Sequence, residues 1–169
     1  MEPATSGVVF GGEVIALRAF LVLVAAGVCG GQTCRPGQIV TSVECCDGAA
    51  GSLHARIFVR NKWHTKCLLK GPSAFRLMDR SGRAVPIKVE TESDLDKFGK
   101  GSSRFLLRPG STAAMSLSTI EPNFSRNRCG TRLALDINGV AVEFKIVACG
   151  PREEPVRIST SGFYAPEEK

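Results

Sequence analysis

The amino-acid sequence predicts an all-β fold, an antiparallel β-sandwich or small barrel, behind a signal-like N-terminal segment. Short runs alternate apolar with polar residues, turn residues separate those runs at intervals of roughly 8–12 residues, and six cysteines follow the N-terminal segment. The sequence predicts no helix of useful length and no internal repeat after that segment. With 169 residues, the chain is long enough for one ordinary domain with its own core.

The N-terminal segment has the character of a secretory leader. Residues 19–28 read AFLVLVAAGV, with Arg18 before them and small glycines after them. This run is too short to cross a bilayer, which takes about 20 residues, but it suits the core of a signal peptide. The alternative is a buried helix, although nothing amphipathic accompanies the run. We therefore expect residues 1–31 to be a signal peptide or leader.

The beginning of the leader departs from the usual pattern. Glu2 and Glu13 precede Arg18, where a signal peptide normally carries positive charge. A start at Val14 would give a regular leader, so we hypothesise that the first 13 residues are an over-extended start. Cys29 follows Val28, whereas lipid-modified cysteines normally follow a small residue. This favours secretion, or tethering by an uncleaved leader, over a lipid anchor.

The cysteines after the leader predict disulfides. An even number in an exported chain is typical of disulfide pairing, although six cysteines allow fifteen pairings. In a cytosolic protein they would instead suggest metal ligands, but the chain lacks a Cys-x-x-Cys pair. The six are Cys34, Cys45, Cys46, Cys67, Cys129 and Cys149.

The first strand is predicted at residues 53–60, LHARIFVR. Apolar and polar side chains alternate there, as expected for a strand with one buried face. Phe58 is the exception, because it falls on the face that carries His54, Arg56 and Arg60. The predicted core face consists of Leu53, Ala55, Ile57 and Val59.

A hairpin and a loop follow. Two apolar runs, at 75–77 and 85–89, flank Asp79-Arg80-Ser81-Gly82, whose glycine suits the end of a turn. Pro86 has no N–H group, so we expect the second run to form a strand at a sheet edge. Residues 91–103 are polar and rich in Gly and Ser, which predicts a loop. The chain then resumes at 105–107, turns at Pro109-Gly110 and returns through 113–117.

The best-specified element is the hairpin at residues 132–150. Asn138-Gly139 is the preferred pair for a two-residue type I′ turn, because both positions need positive φ. That turn pairs Ile137 with Val140, Leu135 with Val142, and Leu133 with Phe144. All six side chains then share one face, while Arg132, Asp136, Glu143 and Lys145 point away.

The same register makes a prediction about two cysteines. Counted outward from the turn, Cys129 falls opposite Ala148 and beside Cys149. A one-residue bulge, or loosening past the strand ends, would bring the two sulfurs together. We therefore predict a Cys129–Cys149 disulfide, which contributes on the order of 3 kcal/mol in the chain-entropy model.

Several motifs in a fixed order resemble an actinobacterial family of exported domains of unknown function, secreted or lipid-anchored. The resemblance covers residues 34–160. It departs from the family in the adjacency of Gly71 and Pro72 and in the extra pair Cys45-Cys46. The matching positions are Gly48, Ala49, Ala50, Gly51, Asn61, Cys67, Leu69, Gly71, Pro72, Leu77, Asp79, Gly82, Leu107, Pro109, Gly110, Cys129 and Cys149.

The resemblance implies an immunoglobulin-like sandwich and no particular activity. It also implies that Cys34 is the family's early cysteine, paired with Cys67. With the leader at 1–31, the expected organisation is a sandwich domain at 34–160 and a C-terminal tail at 161–169.

Catalytic and metal-binding functions have little support in the sequence. His54 and His64 are the two histidines, and no nucleophile motif accompanies either of them. We expect no enzyme and no cofactor; a hydrolase of unknown type is the second alternative. The first alternative is a thiol-based metal-binding or redox module built from His64, Cys67, Cys45 and Cys46.

Binding is the function that the sequence favours. The chain carries a formal net charge of +6, which favours anionic partners, but its basic residues are scattered as on a solvated surface. Phe58 and Trp63 are candidate contact residues; no nucleic-acid partner is expected. We predict an extracytoplasmic, non-catalytic module of the cell envelope that binds a protein or an anionic polymer. Contact with a membrane is expected only through an uncleaved leader or a lipid anchor.

Overall fold

The computed structural model describes residues 31–49, 52–91, 102–120 and 127–166. The predicted leader, apart from Gly31, and most of the predicted 91–103 loop lie outside these residues. Within them, no helix has the length and apolar character needed to span a membrane. A single 3₁₀ turn, Pro36–Gln38, precedes eleven strands: β1 (Ile39–Ala49), β2 (Ser52–Asn61), β3 (Cys67–Lys70), β4 (Ser73–Met78), β5 (Ala84–Val85), β6 (Ile87–Thr91), β7 (Arg104–Leu107), β8 (Thr112–Ile120), β9 (Asn127–Ile137), β10 (Val140–Pro151) and β11 (Val156–Tyr164).

The strands form two main sheets and a small one. The first main sheet has the order β1-β2-β8-β11-β6, the second has the order β10-β9-β4-β5, and β3 pairs with β7. One apolar cluster joins inward side chains of both main sheets, among them Ile57, Met115, Leu133 and Phe163. The predicted all-β sandwich is therefore confirmed. The pairings between the described strands are antiparallel except for β11 with β6, which is parallel. An isolated bridge between Thr33 and Leu68 is also parallel.

Strand β2 follows its alternating pattern. Ala55, Ile57 and Val59 are buried, and Arg56 and Arg60 are exposed. β2 lies between β1 and β8 in the first main sheet, and its apolar face belongs to the core cluster.

The β9–β10 hairpin has the predicted register, with Ile137 opposite Val140 and Leu133 opposite Phe144. Both turn residues have positive φ, 54° at Asn138 and 82° at Gly139. The Asn138 side chain accepts a hydrogen bond from the backbone N–H of Lys70 at 3.0 Å and donates one to the carbonyl of Cys34 at 3.2 Å. The tip of the hairpin is thereby attached to the small sheet.

The base of this hairpin contains a bulge in β10. The register passes from Lys145 opposite Arg132 to Ala148 opposite Gly130, so two residues of β10 face Thr131 alone. Past the bulge, Cys149 lies opposite Cys129 and is joined to it, with the two Cα atoms 4.1 Å apart. Of the two predicted ways for the cysteines to meet, the structure therefore has the one-residue bulge.

The region after β4 differs from the predicted hairpin. The sequence predicts one strand at 85–89, but Pro86 divides this run into β5 and β6, which belong to different sheets. The physical reason is the missing N–H of Pro86, which ends pairing with β4. Its carbonyl accepts a hydrogen bond from the backbone N–H of Val156 and begins the parallel pairing with β11. Both pieces lie at sheet edges, as predicted for a strand with proline.

One end of the sandwich, which we call the closed end, is held by Cys34, Asn61, Cys67 and Asn138. Cys34 and Cys67 are buried and joined, with Cα atoms 4.8 Å apart. Asn61 is fully buried at the end of β2, where its side chain donates to the carbonyls of Thr65 (2.8 Å) and Leu107 (3.3 Å). The polar groups at this end are thus paired inside the fold.

Candidate functional site

The candidate site lies where edge strands of the two main sheets meet. β1 is an edge of the first sheet and β10 is an edge of the second. Each carries a bulge at this level: in β1 the pairing skips Cys46, and in β10 it skips two residues opposite Thr131. Bulges interrupt regular pairing and redirect side chains, and they are common at sheet edges and beside functional sites.

A groove of about 610 Å³ opens between these two bulged strands. Its apolar surface comes from Leu53, Ile146 and Val147, with Cys46 beside them. Val147 is 49% exposed, whereas Ile146 next to it is buried. The β10 bulge therefore presents an aliphatic side chain to solvent within a concave surface.

The polar side of the groove is cationic. Arg80, Arg132 and Lys145 line it together with Thr131, and none of the described lining residues is acidic. Arg132 has a carboxylate partner at the rim, Glu143, at 3.4 Å. Arg80 and Lys145 have no ion pair within the part of the chain that the structure describes. A concave surface with excess positive charge attracts anions by concentrating the local field.

Arg80 is positioned by the turn between β4 and β5. Asp79 accepts hydrogen bonds at one carboxylate oxygen from the Ser81 hydroxyl (2.7 Å), the Ser81 N–H (2.8 Å) and the Arg83 N–H (2.9 Å). The hydrogen bond from the Ser81 hydroxyl and that from the Arg83 backbone lower the pKa of Asp79 to about 2. The carboxylate is therefore ionised at neutral pH and keeps the turn closed.

The Arg132 guanidinium lies against the same turn. Gly82 lies in this turn with a φ of +81°. Nη2 of Arg132 is 3.7 Å from the position that a Cβ atom on Gly82 would occupy. Arg80 and Arg132 therefore enter the groove from adjoining elements, one from the turn and one from β9.

Cys46 lines the groove, and Cys45 precedes it on β1. Neighbouring side chains in a regular strand point to opposite faces, but the bulge at Cys46 brings these two sulfurs together. The sulfurs lie 3.2 Å and 3.4 Å from the carbonyl oxygen of Lys145 on β10. Cys45 is exposed and Cys46 is half-buried.

The residues considered as metal ligands do not come together. Cys67 is bonded to Cys34, His64 lies exposed in the loop after β2, and Cys45 and Cys46 lie on β1. In residues 31–49, 52–91, 102–120 and 127–166, no group of three or more His, Cys, Asp or Glu side chains is arranged to hold a metal ion.

The two candidate contact aromatics lie away from the groove lining. Phe58 is half-buried on the outer face of the first sheet, where it lines a depression of about 310 Å³ with Val40, Arg60 and others. Trp63 is 43% exposed in the loop after β2. Its backbone N–H donates to the side chain of Asn61 at 3.0 Å.

Residues 34–160 match a family described as a domain of unknown function (DUF4232). The chain belongs to the DUF4232 family. The DUF4232 region contains every groove residue named above, both bulges and both long-range disulfides, Cys34–Cys67 and Cys129–Cys149. Comparisons with curated proteins and with solved structures found no match.

The groove itself was not predicted from the sequence. The hairpin pattern places Arg132 and Lys145 on the outward face of one strand pair, and the cysteine register suggests either a bulge in this hairpin or loosening past the strand ends. The sequence pattern does not predict that β10 lies beside β1, because these two strands are about a hundred residues apart in the chain.

Proposed function

We propose that the protein is an exported, non-catalytic binding domain of the cell envelope, and that its ligand is an anionic polymer held in the groove. The observation on which the proposal depends is the groove's composition. An aliphatic floor with exposed Val147 adjoins Arg80, Arg132 and Lys145, and one carboxylate partner, Glu143, offsets only part of that charge. Phosphate or carboxylate groups spaced along a polymer would pair with these cations, and the chain between them would cover the aliphatic floor.

Export is part of the proposal. Its supports are the leader-like residues 19–28, the disulfides in the fold and the resemblance to exported actinobacterial domains of unknown function. Disulfides persist in oxidising compartments and are rare in the cytosol. An actinobacterial source is likewise proposed from that resemblance.

The absence of catalysis is also proposed. His54 is exposed on β2 and His64 is exposed in the loop after it, so the two candidate bases sit on separate surface elements. The groove offers cations and aliphatic contacts, which suit binding and positioning of an anion.

The test is a binding titration with two anionic polymers, a poly(glycerol phosphate) and polyglutamate, and with neutral dextran as the uncharged comparison. The proposal predicts binding of one or both anionic polymers and none of dextran. The logarithm of the association constant should fall with the logarithm of the salt concentration, because binding of charged groups releases counterions.

Charge reversal locates the binding site. Arg80→Glu with Lys145→Glu should weaken binding about tenfold or more, equivalent to at least about 1.4 kcal/mol. Arg104→Glu with Arg108→Glu changes the net charge equally at exposed residues outside the groove lining and should have a smaller effect. Equal loss in the two variants would mean that overall charge, and not the groove, attracts the polymer.

A further inference from the structure

The cysteines occupy two different environments in this fold. Cys34, Cys67 and Cys149 are no more than 7% exposed and belong to disulfides that close long loops. Cys45 is exposed and Cys46 is half-buried at the groove. Cys129, the fourth cysteine of those disulfides, is half-buried and bonded to the buried Cys149. Because thiol–disulfide exchange requires a thiolate to reach a sulfur atom, the exposed Cys45 is open to attack, whereas Cys34–Cys67 is enclosed at both sulfurs and Cys129–Cys149 at one.

The groove also supplies the electrostatic conditions for exchange. Cys46 lines the same concave surface as Arg80, Arg132 and Lys145. Positive charge near a cysteine stabilises its thiolate, and reactive cysteines occupy partly exposed, electropositive surroundings of this kind. The same charge attracts an anionic reactant toward the two sulfurs.

A backbone hydrogen-bond acceptor lies beside both sulfurs. Both sulfurs lie within 3.4 Å of the Lys145 carbonyl oxygen, which is an acceptor for the S–H groups of two thiols. The contact lies where the register shifts in both β1 and β10.

We propose that Cys45 and Cys46 form a reversible dithiol–disulfide site whose reaction partners are anionic low-molecular-weight thiols and their disulfides. The inference goes beyond the proposed polymer binding, although it uses the same cationic groove. It assigns a redox role to this pair and a structural role to the two long-range disulfides.

The reaction balances with two equivalents of the small thiol. One external thiolate attacks the exposed Cys45 sulfur, forms a mixed disulfide there and releases the Cys46 thiolate beside the cations. A second external thiolate attacks the external sulfur of the mixed disulfide, and the free disulfide and the Cys45 thiolate leave. The two protein thiolates take up protons from solvent. The protein disulfide gains two electrons and the two small thiols are oxidised to one disulfide.

The first experiment maps reduction of the air-oxidised full-length chain by 2-mercaptoethanesulfonate. Samples are quenched with iodoacetamide over time, and fragment-ion mass spectrometry assigns each label to its cysteine. Labels on Cys45 and Cys46 should appear about tenfold or more faster than on the four cysteines of the long-range disulfides. Equal rates for both groups would overturn the proposal, and so would labelling of the pair before any thiol is added.

The second experiment tests the charge of the partner. At equal thiolate concentrations, anionic 2-mercaptoethanesulfonate should reduce the pair severalfold faster than cationic cysteamine, with the difference declining as salt is added. Arg80→Glu with Lys145→Glu should abolish or reverse this preference, and Arg104→Glu with Arg108→Glu should retain it. Equal rates with the two thiols in the unaltered protein would contradict the proposed partner class.

The readouts separate this inference from the polymer proposal. No polymer is present in the exchange experiments, and Cys45→Ser with Cys46→Ser can be titrated with polymer directly. A protein that binds polymer but whose pair resists exchange would refute only the redox site. A protein that exchanges but binds no anionic polymer would refute only the proposed function.

Discussion

The closed end of the sandwich and the groove use the same residue types in opposite ways. At the closed end, Cys34 and Cys67 are buried, and the Asn61 side chain is paired with carbonyls inside the fold. At the groove, Cys45 is exposed and Arg80 extends from a surface turn. The first region closes a core, whereas the second leaves sulfur and charge accessible.

The difference follows from where sheet pairing is regular. At the closed end, β3 pairs with β7 without a bulge, so Cys67 keeps the inward position that its place in the strand gives it. At the groove, the bulges in β1 and β10 add residues that interrupt the alternation of inward and outward side chains. An interrupted edge can therefore present cysteines and cations that a regular strand would separate.

The strongest test of this comparison is removal of each cysteine pair. Cys34→Ser with Cys67→Ser opens a link between residues 33 apart in sequence, and should lower the free energy of unfolding by about 4 kcal/mol in the chain-entropy model. Cys45→Ser with Cys46→Ser removes no long loop and should cost less than about 1 kcal/mol. Urea unfolding of both variants measures the difference. A larger loss in the Cys45-Cys46 variant would reverse the assignment of roles.

A smaller effect is expected from the buried amide at the closed end. Asn61→Ala removes the hydrogen bonds to the carbonyls of Thr65 and Leu107 and the acceptor of the Trp63 N–H. The Thr65 carbonyl keeps the Gln38 side-chain amide as a donor at 3.0 Å. The variant should cost about 2–3 kcal/mol because three hydrogen bonds of a fully buried side chain are lost together. Gln32→Ala, which truncates an exposed amide, should cost less than about 0.5 kcal/mol. Similar losses in the two variants would show that Asn61 does not hold the closed end together.

The smallest predicted effect sharpens the description of the groove. Asp79 has its pKa lowered to about 2, so its contribution to the turn is complete above its ordinary value of about 3.9 and disappears as the pH falls through about 2. NMR titration of the Asp79 carboxyl should give this midpoint, with amide shifts of Ser81 and Arg83 following the same curve. Asp79→Asn should remove that titration. An ordinary midpoint near pH 4 would mean that the turn does not hold the carboxylate.

Much of the sandwich can be predicted from local patterns. The alternation in β2 and the Asn138-Gly139 turn determine the faces and the hairpin register, because a shift by one residue would expose the core side chains. The register also places Cys129 beside Cys149, and the bulge found in β10 is one of the two arrangements that would join them. Local spacing is sufficient for these features, since their partners are close in the chain.

The features that the sequence does not predict are non-local. Pro86 marks a sheet edge in the sequence, but the move of the chain from β5 in one sheet to β6 in the other depends on β11, some seventy residues later. The groove likewise depends on the packing of β1 beside β10. It also depends on a bulge at Cys46, which no turn residue in the sequence indicates. Cys45 and Cys46 were considered with His64 and Cys67, yet in the fold they share a surface with Lys145 instead.

The most direct test of the binding proposal is amide chemical-shift mapping of the isotope-labelled protein during titration with poly(glycerol phosphate). The account predicts that the largest salt-sensitive shifts fall on residues 80, 131–132 and 145–147, on both sides of the groove. Shifts concentrated instead around Trp63, or on the outer face of β2 around Phe58, would contradict it.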